Sequence, residues 1–266
     1  MSETRRGARR VNDIPEDVLN RLNRGEMETA NLVEWLAVDK KELLRHMLQE
    51  SNRTEYLEPV LHKINQLKKE TTNTVNATIG YELYLHATQN SDSLFLSHLS
   101  QHRSDLVRCW AAYSIGKNKN LNIGEMLVQI RPFAADGHFG VREISWMVVR
   151  ESIIANLKES ISLLSEWILD PDDNVRRFAS EATRPCGVWS KHIEELKQQP
   201  VLGLPILDVL KSDPSRYVQD SVGNWLNDAS KSSPHFVKEV CERWGAQSKS
   251  KETHYILKKA LRTLNK

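Results

Sequence analysis

The stretch DPDDNVRRFASEATRP, residues 170–185, opens on an Asp-Pro turn, carries an apolar face and stops at a proline. Aspartates ahead of such a run favour a helix start, and the proline favours its end. Its valine belongs to a series. Val107 in DLVRCWAAYSIG, Val141 in FGVREISWMVVRESI and Val175 lie 34 residues apart, and an arginine follows each. A further echo is SRYVQDSVGNWLNDAS at Val218, and a weaker one is THYILKKALRTL at Ile256. Amphipathic segments such as SLLSEWILDPDD and LPILDVLKSDPS precede the echoes. The repeating unit is therefore helix, tight turn, helix. One such pair cannot bury its own apolar face, so neighbours must stack. The expected fold class is all-α: an α-solenoid of HEAT-like helix-pair repeats with a concave, basic inner face. The repeats are clearest over 92–266.

Helical periodicity also fills the first half, in DVLNRLNRG, NLVEWLAV, ELLRHMLQE and YLEPVLHKINQLKKE. Asp13 and Glu16 have capping-box spacing before the first of these, and Gly25 is a natural stop after it. The start, MSETRRGARRVND, is basic but is followed by no apolar run, so residues 1–11 are expected to form a disordered arm rather than a signal peptide. Residues 12–266 are expected to form a single domain. No apolar run approaches the length of a membrane span. The three cysteines, Cys109, Cys186 and Cys241, are dispersed and odd in number, which suits reduced thiols in a cytosolic protein. Net charge is +2, so any anion-binding surface must be a local patch.

Arg108, Arg142 and the pair Arg176–Arg177 share one repeat position. Stacking would align them in a row at the N-terminal ends of the second helices. Two readings of that row stay open: a ladder of arginines bonding the acids of the turns, or a row facing phosphates. The chain has seven tryptophans. Core packing is the ordinary reading of each, but Trp189 follows Pro185 and Gly187 in a loop and has less reason to be buried.

The segments NVRRFASEATRPCGVW and DPSRYVQDSVGNWLND resemble the HEAT-like DNA alkylation-repair proteins, the alkylpurine DNA glycosylase superfamily. The matching strings are VRR-x-x-SE-x-TRP, a tryptophan four residues past that proline, and DPS-x-YV-x-x-SV-x-N-x-LND. They are closer to the AlkC branch than to the AlkD branch. The N-terminal stretch IPEDVLNRLNRGEMETANLVEWLAVD has the look of that group's first helices. The resemblance covers most of the chain and is specific from Val175 to Asp228. It implies an N-glycosylase that removes cationic alkylated purines, such as 3-methyladenine, from duplex DNA. A base already carrying positive charge needs little acid catalysis. It needs negative charge and π-density near a sugar that becomes oxocarbenium-like, and an oriented water.

Carried over by position, the resemblance makes Asp228 the active-site aspartate, Trp189 the aromatic against the sugar, and Arg177 a phosphate anchor. Arg142, Arg108 and Arg150 would extend the phosphate row. Each has a plainer alternative: Asp228 could be a turn residue, and Arg177 could pair with Asp172, Asp173 or Glu181. One departure stands out. Trp146 occupies the position expected for the family's catalytic glutamate, leaving Glu143, one turn earlier, as the nearest carboxylate. Either Glu143 takes over, or the site has one carboxylate, or excision is lost and DNA binding kept, with Trp146 on the DNA side. The branch often carries an immunoglobulin-like C-terminal domain, and none is expected within these 266 residues.

No cofactor and no metal are expected; His98 and His102 have i, i+4 spacing but no evident third ligand. The expected partner is alkylated duplex DNA, bound by a monomer in the cytoplasm, with no membrane. The alternatives are a non-catalytic repeat protein on damaged or branched DNA and a protein-binding HEAT adaptor. Near-neutral charge favours the adaptor; the joint spacing of Arg177, Trp189 and Asp228 speaks against it. On the sequence alone, Arg177→Ala is expected to weaken DNA binding and reduce its salt slope while leaving the melting temperature nearly unchanged, as read by titrations at several salt concentrations beside a thermal melt.

Overall fold

The computed structural model describes residues 5–187 and 189–265. Among them there are sixteen α-helices and no strand. The chain divides into two compact units, Met1–Lys119 with Gly137–Val148, and Asn120–Asp136 with Val149–Lys266, where one domain was expected.

The first unit holds α1 (Glu16–Asn23), α2 (Leu32–Ala37), α3 (Lys40–Glu50), α4 (Leu57–Asn65), α5 (Thr72–Gln89), α6 (Ser93–Ser100) and α7 (Asp105–Lys117). Here α3 packs on α4, α4 on α5, and α5 on both α6 and α7. The second unit begins with α8 (Ile123–Ala134). The helix α9 (Phe139–Ala155) contributes its residues through Val148 to the first unit and the remainder to the second. There follow α10 (Leu157–Trp167), α11 (Asp173–Ala182), α12 (Glu194–Gln198), α13 (Leu204–Leu210), α14 (Arg216–Ala229), α15 (Pro234–Gln247) and α16 (Lys251–Ala260). In this unit α11, α14 and α16 pack in succession as one layer, and α10, α13 and α15 pack against them. This is the expected helix-pair stacking. None of the described helices is long and apolar enough to cross a membrane.

The repeat echoes are core positions. Val107, Val141, Val175, Val218 and Ile256 are all fully buried. Most tryptophans are core as well and, Trp35 apart, those buried indoles have their N–H groups satisfied. Trp110 donates to Asn76 at 2.8 Å, Trp225 to the Thr183 carbonyl at 2.9 Å and Trp244 to Asp208 at 2.6 Å.

The arginine after each valine has a structural task. Arg108 donates to the carbonyls of His102 and Arg103, Arg142 to that of Gly137, and Arg176 to those of Asp170 and Pro171. Gln219, after Val218, does the same to Asp213 and Pro214. Each side chain reaches back and satisfies carbonyls of the turn that leads into its own helix. The turns are also braced from within: His102, Asp170 and Asp213 each accept the N–H two residues on. His102 is thus occupied as a turn brace. Arg176 in addition grips Asp213 with two bonds, at 2.7 and 3.0 Å, tying one turn of the second unit to the next. Arg108 pairs with Glu28 at 2.5 Å. These arginines thus bond turn carbonyls, where the ladder reading has them bonding the acids of the turns; Arg176 grips an acid of the following turn, and Arg108 one far away in the chain.

Two local expectations differ. The segment expected to be a disordered arm is tied down from Arg5, which pairs with buried Glu34 at 2.5 Å, while Asn31 donates to the Ala8 carbonyl; residues 1–4 lie outside the described residues. Pro15, not Asp13, precedes α1, because Asp13 closes a short 3-10 turn, so no capping box forms there. Gly25 ends that segment at φ 71°, a conformation glycine adopts without steric cost.

Replacing Arg176 with alanine should lower the unfolding free energy by about 2 kcal/mol, since it strips charge-assisted bonds from Asp213 and donors from two carbonyls. Arg176→Gln should recover part of that loss, because glutamine already fills this role at position 219. Urea unfolding of the three proteins measures it; an unaltered alanine variant would refute the bracing role.

Candidate nucleic-acid interface

Within the second unit, α11 and α14 bring together a polar cluster that is mostly buried. Arg177 lies one turn into α11, and its guanidinium sits 4.2 Å above the ring of Tyr217 and 3.5 Å from Glu181. Glu181 accepts from Arg184 at 2.7 Å and from Ser221 at 2.7 Å, and Ser221 in turn accepts from Ser180. Arg184 continues to Asp228, placing Nε at 2.9 Å and Nη2 at 2.7 Å from Oδ2. The other oxygen, Oδ1, accepts from Lys231 at 2.9 Å. One continuous chain of charges thus runs Arg177–Glu181–Arg184–Asp228–Lys231.

Asp228 is 3% exposed and lies on the last turn of α14, so it is not a turn residue. Lys231 is 50% exposed at the side chain, so it can leave Oδ1 at little cost, whereas Arg184 is fixed. Burial alone would push the Glu181 carboxyl upward. The charges of Arg177 and Arg184, with the bonds from Arg184 and Ser221, outweigh it and hold that carboxyl below its usual range. Asp172 and Asp173, the other acids considered for Arg177, are engaged elsewhere: Asp172 caps α11 and Asp173 accepts from Ser215 at 2.5 Å.

The loop that follows Arg184 carries Trp189, which is 83% exposed and adopts φ 66°. A bulky residue in that region is a genuine outlier, and strain of this kind clusters at functional sites. The loop carrying it is tied at its base. Pro185 accepts from the Ile193 N–H at 3.0 Å, and Thr183 accepts from Trp225. Arg150 supplies the remaining donors: Nε to Lys191 O at 2.8 Å, Nη1 to Ala182 O at 2.9 Å and Nη2 to Arg184 O at 2.6 Å.

That placement corrects two expectations. Arg150 is 1% exposed and points its guanidinium at backbone carbonyls, so it does not face phosphate. Burial and the neighbouring Arg184 lower its pKa to about 10, still charged at neutral pH. Trp146 is 4% exposed and donates its indole N–H to Glu143 at 2.9 Å, so it does not offer its ring to DNA. Glu143 and Trp146 belong to the first unit, with Arg108 and Arg142; Arg177, Trp189 and Asp228 belong to the second. The turn bonds of Arg108 and Arg142 draw those side chains toward their own backbone rather than outward. Arg184, Lys231 and Tyr217 escaped sequence reasoning. The signal for the first two was local: Arg184 is three residues from Glu181, and Lys231 three from Asp228.

A family model described as DNA alkylation repair enzyme matches residues 141–264. Over this stretch, a little under half of its length, the chain is similar to that family. The match includes every member of the cluster above. YhaZ of Bacillus subtilis (strain 168) is 40% identical over 122 residues, which is 46% of this chain and 34% of that protein. The chain thus spans about a third of the length of the curated relative it matches. Among solved structures, the fold resembles that of Pseudomonas fluorescens alkylpurine DNA glycosylase AlkC bound to DNA containing an abasic site analog. The TM-score is 0.71 at 24% identity, over 85% of this chain and 63% of that one. AlkD2 from Streptococcus mutans gives a TM-score of 0.54 at 24% identity, over 78% of this chain and 98% of that one. The likeness is greater to the AlkC fold than to the AlkD2 fold, in the direction the sequence strings pointed.

Because the folded pKa of Glu181 is lowered, its contribution to stability is present above the ordinary carboxylate range and is lost as pH falls through its folded value. Glu181→Gln should therefore flatten the acid limb of the stability curve. At neutral pH it should cost about 3 kcal/mol by leaving Arg177 and Arg184 undercompensated. Urea melts of both proteins from pH 7 down to pH 3 measure this; parallel curves would show that Glu181 is not charged in the fold. By the same contacts, Arg177→Ala should lower the melting temperature measurably, contrary to the expectation drawn from sequence alone.

Proposed function

We propose that this chain is a DNA-binding alkylation-repair protein that hydrolyses the N-glycosidic bond of cationic alkylated purines in duplex DNA. The observation that carries the reading is an exposed indole, held in a strained conformation on a tied loop that follows Arg184, the residue whose side chain holds the Asp228 carboxylate, within the stretch matched by the repair-enzyme family model. Trp189 would lay its π-face against the sugar and the charged base. Arg177 and Lys231 would meet phosphate. Asp228 would stabilise the sugar as positive charge develops, or orient the attacking water.

The ground-state geometry suggests how Asp228 becomes available. Oδ2 is held by Arg184, and Oδ1 is covered by the half-exposed Lys231. A DNA phosphate competes for the ammonium and draws it away, freeing Oδ1 when substrate is bound. The base, already cationic, leaves without a proton donor. Glu143 belongs to the first unit, where its Oε2 is engaged by Trp146.

A second reading has its own support. Asp228 accepts three bonds and Trp146 stands where a glutamate is expected, which suits a protein that binds damaged duplex DNA without excision. Incubating methylated duplex DNA with the protein and measuring released 3-methyladenine and 7-methylguanine separates the two. Release should occur, should vanish in Asp228→Asn, and should fall about 5- to 150-fold in Trp189→Ala, the range for losing one aromatic stack on a nucleotide. Trp189→Ala should leave the melting temperature unaltered, since the side chain is exposed. Salt-sensitive binding without release would establish the second reading. Absence of both would sink the DNA reading in favour of a protein-binding adaptor.

A further inference from the structure

Arg150 is among the largest fully buried side chains of the chain, and its guanidinium is turned to the backbone. Its three nitrogens each meet a backbone carbonyl, and those carbonyls flank the Trp189 loop: Ala182 and Arg184 on the entering side, Lys191 on the leaving side. The loop backbone also lies directly on the guanidinium. A Cβ at Gly187 would stand 3.2 Å from Arg150 Nη2 and 2.0 Å from Ser190 Oγ, so the approach requires glycine there. A planar fork with donors in fixed directions suits three carbonyls arranged around it; a lysine ammonium is a single point and cannot span them. The same Arg184 whose carbonyl is clasped sends its side chain to Asp228.

We propose that Arg150 is a positioning residue for Trp189: it clasps both ends of the loop and thereby fixes where the indole stands relative to Asp228. The proposal rests on the excision reading for its kinetic test, but the clasp itself is a property of the free protein. A methionine of similar length would fill such space without desolvating a charge but would give the three carbonyls no donor. A loop held only by the Ile193–Pro185 bond would let the exposed indole sample many positions, and misplacement of a positioning group by about 1 Å costs on the order of 10²-fold in rate.

The test is a double-mutant cycle of Arg150→Lys and Trp189→Ala, with hydrogen exchange on each protein. Arg150→Lys should accelerate exchange over the segment 183–193 while the rest of the second unit stays protected. It should reduce release of 3-methyladenine by a factor similar to that of Trp189→Ala. The double variant should be no slower than Trp189→Ala alone, because a residue acting through the indole has nothing to act on once the indole is gone. Multiplying factors, or full release by a protein whose loop has loosened, would overturn the proposal. So would unaltered exchange in Arg150→Lys. Should Arg150→Lys fail to fold, Gly187→Ala attacks the same contact from the loop side and must show the same pattern; failure of both to fold would make Arg150 a core brace and nothing more. If the wild-type protein releases no base, the excision reading falls separately. The same cycle is then read as affinity for methylated duplex DNA, where non-multiplying losses support the clasp and independent losses overturn it.

Discussion

A tight turn between packed helices leaves backbone carbonyls without donors, and the placement of this protein's arginines follows from that constraint. A repeat of paired helices meets it at every turn. Here the answer is a long side chain from the start of the next helix reaching back over the turn: Arg108, Arg142, Arg176 and, where the residue is uncharged, Gln219. That glutamine works in the same place shows that the geometry asks for a donor of sufficient reach, not for a charge. The end of α11 meets the same demand differently. The chain leaves the helix into a longer loop, and donors come from neighbouring elements, Arg150 and Trp225. Because the carbonyls are satisfied by side chains rather than by a tight turn, the backbone is free to rise and carry Trp189 outward.

The charged cluster depends on that anchoring. Arg184 leads a double life: its carbonyl is a ligand of Arg150, and its side chain is the fixed partner of Asp228. A buried carboxylate keeps its charge only where donors and cations surround it, and a buried ion pair is sensitive to the loss of either member. Glu181 provides the counterbalance that lets Arg177 and Arg184 lie close together. The network is therefore cooperative, and removing any member exposes the others to uncompensated burial.

Much of the fold was legible in the sequence, and for a physical reason. The valines 34 residues apart are buried, so their spacing is enforced by packing that every repeat must satisfy. Trp189 was legible as well, since a proline and a glycine before it signal a loop. The roles of the arginines were less so. Arg176 and Arg177 are adjacent in sequence, but a helix turns them about 100° apart. One therefore meets the turn and Asp213, the other Tyr217 and Glu181. Arg150 looked like another member of a basic row because sequence shows charge but not whether the charge faces water or carbonyls. Tyr217 comes near Arg177 through folding of α14 against α11, and a fixed repeat period does not encode which side chains then meet.

On the proposed function, the charge balance bears on how the site would treat a cationic base in bound DNA. Around Asp228 and Glu181, two carboxylates face Arg150, Arg177, Arg184 and Lys231. An excess of positive charge attracts phosphate but repels a positively charged nucleobase and a developing sugar cation. The two demands conflict unless the local balance alters when DNA binds. Lys231 is the cation free to move, and each phosphate that engages it or Arg177 adds negative charge at the rim. The bound duplex would then supply part of the electrostatic stabilisation that the free protein lacks. What remains for the protein is an uncharged source of electron density that phosphate does not attract and the arginines do not neutralise. An exposed indole meets that requirement, and this is a physical reason for presenting Trp189 at a cost in strain and exposed apolar surface.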